Sequence, residues 1–163
     1  MKIRNREGFS LIEIIITMAI LAIVLTIAVP TFTRYRKNIN LRNAARAIAA
    51  DFAYLKQKAK AESVHYKIML SVENNNYKII KGGSTGIPSE YDETTAIVKS
   101  LSDFSGDIVI SANPAPTYSY SQVIFQPRGT TQAGTIVLAN DFGSTAKIVS
   151  GLTGRVHVSF DMN

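Results

Sequence analysis

Between Gly8 and Val29 the chain reads GFSLIEIIITMAILAIVLTIAV, and this run constrains the fold more than any other feature. From Phe9 to Val29 it holds 21 residues and one ionisable side chain, Glu13. A helix of that length rises about 31 Å, matching the roughly 30 Å hydrocarbon core of a bilayer. A lone charge at the centre of such a span costs about 2.5 to 3.5 kcal/mol on insertion scales, so Glu13 is a functional candidate by default. The leader MKIRNREG sets Lys2, Arg4 and Arg6 against Glu7 and is too short to fold. A secretory signal carries its cleavage site after the apolar stretch and discards it. Here the punctuation, Gly8 then Phe9, stands before the stretch. Charge barely orients the span, because Arg34, Arg36 and Lys37 follow it as closely as the basic leader precedes it.

After Pro30 the residues TFTRYRKNINLRNAARAIAADFAYLKQKAKAE contain helix formers and neither glycine nor a second proline. Leu41, Ala44, Ala45, Ile48, Phe52, Leu55 and Ala59 recur at steps of three and four, an apolar stripe expected to pack on the rest of the chain. Proline removes one backbone hydrogen bond and crowds the preceding turn, which predicts a kink between Thr26 and Pro30 rather than a break. The expected helix therefore runs from Phe9 to Glu62. Its first half is apolar all round and its second half amphipathic. Arg34, Arg36, Lys37, Arg42, Arg46, Lys56, Lys58 and Lys60 are opposed between Arg34 and Lys60 only by Asp51, so most of the net charge of +6 gathers here. Contact with anionic headgroups or with a neighbour's acids is one reading of that face. A solvated helix face is the reading preferred for Lys56 to Lys60.

From His65 the pattern changes to short β-rich runs between turn residues. HYKIMLSV and YKIIK flank the turn ENNN as a hairpin, and AIVKSL, DIVIS, SQVIFQ, GTIVLA, AKIVS and RVHVSF follow. About eight antiparallel strands suit two packed sheets or one strongly curved sheet. The expected fold class is α+β, a long N-terminal helix packed on a C-terminal antiparallel β domain. The expected divisions are 1–8 as leader, 9–29 as membrane helix, 30–62 as amphipathic helix and 63–163 as β domain.

The string GFSLIE, with Gly8 closing a basic leader and Pro30 closing the apolar run, resembles the class III signal of type IV prepilins and type II secretion pseudopilins. The resemblance implies that a prepilin peptidase cuts between Gly8 and Phe9 and methylates Phe9. The retained helix would then form the core of a filament, and Glu13 would pair with the terminal amine of a neighbouring subunit. Phe9 and Glu13 are four residues apart and share a helix face, so the pair could equally close within one chain. A second stretch, VIFQPRGTTQAGTIVLAN with AKIVSGLTGRVHV, resembles the C-terminal signature of the GspH/FimT group of minor pseudopilins and minor pilins, making the expected fold pilin-like. The matching residues are Phe125, Pro127 and Gly129, then Gly134, Thr135 and Ile136, then Gly154 and Arg155. Residues 64–122 carry no resemblance.

Some pilus members of that group bind DNA through a G-R-x-R motif, whereas this chain reads GRVH, with His157 in place of the second arginine. A neutral imidazole reads no phosphate, so a DNA role is disfavoured. Arg155, Arg128 and Lys147 remain the candidate nucleic-acid contacts beside the simpler reading of an exposed edge-strand arginine. Catalytic patterns are scarce. The chain has two histidines, His65 and His157, and no cysteine, with neither H-E-x-x-H nor G-x-S-x-G. GGSTG at Gly82 lacks the Lys-Ser/Thr of a phosphate loop. Glu90, Asp92 and Glu93 offer oxygens for calcium with Asp103 or Asp107, although a solvated acidic loop is the simpler reading. No cofactor, metal or small-molecule substrate is expected.

The resemblance therefore implies a non-enzymatic minor pseudopilin of type II secretion. It would be a single-pass inner-membrane protein with its N-terminus cytoplasmic and its C-terminal domain periplasmic, and its partners would be other pseudopilins or pilins and the prepilin peptidase. The alternative within the family is a minor pilin of a type IV pilus, serving assembly, adhesion or DNA uptake. A rival of another class is a singly anchored periplasmic enzyme or ligand-binding domain.

Overall fold

Strong helix formers without an interrupting glycine carry one helix, α1, over Leu11–Glu62, a length of 52 residues. In this computed structural model residues 9–163 are described, so Gly8 and the leader residues Lys2, Arg4, Arg6 and Glu7 lie outside the described residues. The described chain divides into a unit ending at Arg36 and a unit Lys37–Asn163. In the first unit α1 is unbroken at Pro30. The proline withholds the N–H that the Thr26 carbonyl would otherwise accept. Nearby hydroxyls bond back along the helix, Thr31 to the Ile27 carbonyl at 3.1 Å and Thr33 to the Val29 carbonyl at 3.0 Å.

In the second unit α1 ends at a left-handed Ser63 (φ 55°), and Val64 N–H donates to the Ala59 carbonyl at 3.2 Å. This six-to-one bond is the Schellman closure, with serine where glycine is usual. Eight strands follow: β1 (Tyr66–Ser71), β2 (Asn76–Lys81), β3 (Ile97–Ser100), β4 (Val109–Ile110), β5 (Gln122–Phe125), β6 (Gly134–Ala139), β7 (Thr145–Ser150) and β8 (Val156–Asp161). They form two antiparallel four-stranded sheets, ordered β3-β2-β1-β5 and β4-β6-β7-β8. The chain thus crosses to the second sheet at β4 and returns to the first at β5. DIVIS yields only the two-residue β4, which is followed by a loop carrying Pro114 and Pro116.

The stripe predicted from spacing is the buried face of α1: Leu41, Ala44, Ala45, Ile48, Phe52, Leu55 and Ala59. It joins one cluster with Ile68 and Leu70 of β1, Val123 and Phe125 of β5, Ile136 and Leu138 of β6 and Ile148 of β7. Each large aliphatic or aromatic side chain so buried contributes about 1.5 to 3 kcal/mol relative to exposure. At the centre Phe52 meets Phe125 edge-on, with ring centroids 5.3 Å apart and planes at 84°. Such geometry adds about 0.5 to 1.5 kcal/mol beyond area.

The polar side of α1 differs from expectation. Asp51 does not balance the basic residues of the helix; it accepts from Tyr77 Oη at 2.6 Å and from Lys99 Nζ at 2.8 Å, both on the first sheet. Lys56 and Lys58 are not merely solvated. Lys56 donates to the Thr153 carbonyl at 2.8 Å, and Lys58 lies 3.9 Å from Glu62 with its ammonium over the rings of Tyr54 and Tyr66. Lys37 pairs with Asp141 and stands 3.8 Å from Asp107. The partners of Lys58 lie four to eight residues away, but those of Lys37, Asp51 and Lys56 are 26 to 104 residues distant in sequence, so helix spacing could not reveal them.

Two outcomes follow from this packing. Replacing Phe52 with Ala removes the central ring and leaves a cavity, so urea unfolding of the full chain in neutral detergent should show a loss of about 3 to 5 kcal/mol. The Lys81 ammonium, then the Tyr66 hydroxyl, holds the Glu62 carboxyl below its usual range, and Lys37 does the same for Asp141. A depressed folded value means that stability is complete above the unfolded value near pH 4 and is lost as pH falls through the folded value. The urea midpoint should therefore drop between about pH 5 and pH 3, with a shallower drop in the Glu62→Gln, Asp141→Asn double variant.

Candidate functional site

Two sets of residues were singled out in the sequence, one in each unit. In the first unit Ser10 starts the helix, its carbonyl accepting from Glu13 N–H at 3.1 Å and Ile14 N–H at 3.3 Å. Glu13 thus sits in the first turn, where unpaired amide groups favour a negative charge. The two threonines of the apolar run bond back to the helix. Thr17 donates to the Ile14 carbonyl at 2.9 Å and Thr26 to the Ala22 carbonyl at 2.8 Å. Among the described residues nothing pairs with the Glu13 carboxylate. The large apolar side chains from Phe9 to Val29 are all exposed, Phe9 at 80%. The helix is long and apolar enough to cross a membrane.

In the second unit the C-terminal signature proves to be a set of packing positions. Phe125 ends β5 and buries its ring against Phe52. The chain then turns, with Gly129 N–H donating to the Gln126 carbonyl at 2.8 Å and Gly129 at φ +82°. Gly134 opens β6 under the ring of Tyr118, where an added Cβ would lie 2.4 Å from a ring carbon. The Tyr118 hydroxyl bonds Ser150 Oγ at 2.7 Å, and Ser150 donates in turn to the Gln132 carbonyl at 2.7 Å. Gly154 turns the chain from β7 into β8 at φ +68°. An added Cβ there would lie 2.7 Å from Lys56 Cδ and 3.1 Å from the Gly129 carbonyl. The two signature turns therefore meet over the stem of Lys56, which donates to Thr153 beside them.

Arg128 and Arg155 flank these adjoining turns, and both are exposed. Lys147 is exposed as well, but it sits mid-strand in β7 opposite Ser159. His157 is exposed on β8 opposite Val149. The structure brings Lys56 between the two arginine-bearing turns, a cation that the signature did not point to. Its helical position 70 residues or more from either turn gave no local signal. The acidic loop spends its oxygens internally. Glu90 accepts from the Thr85 hydroxyl at 2.7 Å and from Thr85 and Gly86 N–H at 3.1 and 3.0 Å, bonds that lower its pKa. Asp92 accepts from Thr94 N–H at 3.0 Å, and Glu93 reaches Lys67 at 3.7 Å. Among the described residues no three potential metal ligands cluster.

The comparisons with known proteins fit both units. Residues 3–29 match the family model of the prokaryotic N-terminal methylation motif, and residues 44–155 match that of the type II transport protein GspH. Two solved structures of the minor pseudopilin EpsH from the type II secretion system of Vibrio cholerae are similar in fold. Their TM-scores are 0.58 and 0.56 at 7% and 6% identity, and the matches cover 74% and 75% of this chain and 96% and 97% of theirs. At such identities the likeness speaks for the fold alone. No curated protein sequence is significantly similar to the chain.

The turn at Gly154 yields a direct check. Gly154→Ala meets both a left-handed backbone and the Lys56 stem, so unfolding of the full chain should show a loss of about 1 to 3 kcal/mol. In a Lys56→Ala background the same substitution should cost less, because only the left-handed backbone and the close Gly129 carbonyl oppose the added methyl.

Proposed function

The chain belongs to the GspH family of type II transport proteins, and from that premise we propose that it is a minor pseudopilin subunit of a type II secretion pseudopilus. It is made as a precursor, cut between Gly8 and Phe9 by a prepilin peptidase and methylated on Phe9. Before assembly the helix from Phe9 to Val29 spans the inner membrane once, with the N-terminus cytoplasmic and the β domain periplasmic. Afterwards the same helix packs among those of other pseudopilins. The match to a type II transport family model over most of the chain favours this machine over a type IV pilus. The role is structural rather than catalytic.

One observation carries the reading: an exposed apolar helix has a single unpartnered carboxylate in its first turn. The apolar surface needs lipid or other helices around it. The carboxylate needs a cation, and cleavage after Gly8 creates one four residues away. In a low-dielectric helix bundle an amine and a carboxylate attract strongly, whereas either alone is costly. Pairing Glu13 with the Phe9 amine of an adjacent subunit removes that cost only on assembly. Such a pair rewards incorporation more than residence in the membrane, and it sets the axial offset between neighbouring helices.

Mass spectrometry of the protein from its host should find Phe9 as a methylated N-terminus, and an intact Met1 sinks the reading. Glu13→Ala should leave membrane insertion unchanged or improved while lowering recovery in sheared filament fractions about tenfold or more, since a buried charge pair is lost. Normal incorporation of that variant would make the acid incidental.

A further inference from the structure

Strand β8 is the last in its sheet, and among the described residues no strand pairs with its outer edge. Proteins usually blunt such edges with short strands, lysine, proline or a covering element. The other edges here follow that rule: β4 has two residues, β5 four, and β3 four with Lys99 among them. By contrast β8 runs six residues as VHVSFD, without lysine or proline. Its open hydrogen-bonding groups can be assigned. Gly151 N–H donates to the Arg155 carbonyl at 2.9 Å and Asn163 N–H to Ser144 Oγ at 3.1 Å, so the odd-numbered residues turn their main chain toward β7. Antiparallel alternation then points the N–H and C=O of Val156, Val158 and Phe160 outward. The side chains of these three, on the core side, are only half-buried.

Helix α1 runs beside this edge. At 3.6 residues per turn Arg42, Arg46, Ala49, Ala53 and Lys56 share one strip of the helix. The strip reaches both ends of β8. The guanidinium carbons of Arg42 and Arg46 stand 5.7 and 6.0 Å from the Phe160 ring centroid, while Lys56 bonds Thr153 just before the strand. The strip is therefore cationic at its ends and small in its middle. Among the described residues no carboxylate lies within 4 Å of Arg42, Arg46, Lys56 or Arg155, whereas Lys37 has two and Lys58, Lys67, Lys81 and Lys99 have one each. Asp161 is the one acid on β8, at its far end, and Asp51 and Glu62 of α1 are engaged by other lysines.

We propose that the seam between α1 and the free edge of β8 is a docking site for an extended acidic segment of another polypeptide, which adds to the sheet as a fifth strand. Main-chain bonds to Val156, Val158 and Phe160 provide the affinity common to strand addition. Ala49 and Ala53 leave room for apolar side chains at the centre of the incoming strand. Carboxylates toward its ends meet Arg42 and Arg46 on one side, and Lys56 and Arg155 on the other, which selects acidic over basic strands. The site is independent of the membrane helix, so its failure would leave the pseudopilin reading standing.

The test uses the full chain in neutral detergent and an eight-residue capped peptide with Asp-Glu at each end and alternating Val and Thr between. Saturating peptide should slow amide hydrogen exchange at Val156, Val158 and Phe160 and leave His157 and Ser159, already bonded to β7, unchanged. Arg42→Glu with Arg46→Glu, both exposed positions, should weaken binding about tenfold or more. The same peptide N-methylated at alternate residues, or with lysines for its acids, should not bind. Protection without alternation, equal binding of the N-methylated peptide, or indifference to the double variant overturns the proposal. So does duplex DNA that displaces the peptide at physiological salt, which would assign these cations to phosphate.

Discussion

The structure of the second unit depends on one stripe of seven buried residues, Leu41 to Ala59, that must be covered by both sheets. Inner-face residues of both sheets share one core cluster with these helix side chains. Phe52 is the joint where that dependence concentrates, its ring set against Phe125 of the first sheet. The chain before Lys37 has the opposite property. Its apolar residues point all round the helix and are exposed. A single helix thus carries two kinds of apolar surface, one buried by folding and one left exposed.

The signature shared with the family reads differently once its contacts are seen. Phe125 and Ile136 are core, Gly134 yields to the ring of Tyr118, and Gly129 and Gly154 close two turns on the stem of Lys56. These residues fasten the sheets to the helix. At the three glycines, close approach and left-handed turns tolerate few substitutes. The exposed cations beside them, Arg128 and Arg155, are free to vary in role, since nothing in the core depends on them. This separates the fastening function of the motif from any surface it presents.

Polar contacts complete the attachment at places the apolar stripe does not reach. Asp51 ties the middle of the helix to Tyr77 and Lys99, Glu62 ties its end to Tyr66 and Lys81, and Lys37 ties its entry into the domain to Asp107 and Asp141. Burial first, then the Asp51 hydrogen bond, raises the pKa of the Tyr77 hydroxyl well above its ordinary range, which favours its role as donor to Asp51. The part of the helix from Lys37 to Glu62 is thereby held at three charged points as well as by its apolar face.

Much of this was legible without coordinates. The spacing of Leu41, Ala44, Ala45, Ile48, Phe52, Leu55 and Ala59 determined the buried face, because helical periodicity is a local property. The alternating runs after His65 determined eight strands for the same reason, and the length and composition of the segment from Phe9 to Val29 determined a span with one acid to explain. The tertiary structure alone decided which strands share a sheet, that Asp51 leaves the basic face for Lys99, that the Gly129 and Gly154 turns meet over Lys56, and that β8 keeps an open edge beside Arg42 and Arg46. Those outcomes join residues tens of positions apart through geometry that no local pattern encodes, so only the folded chain could settle them.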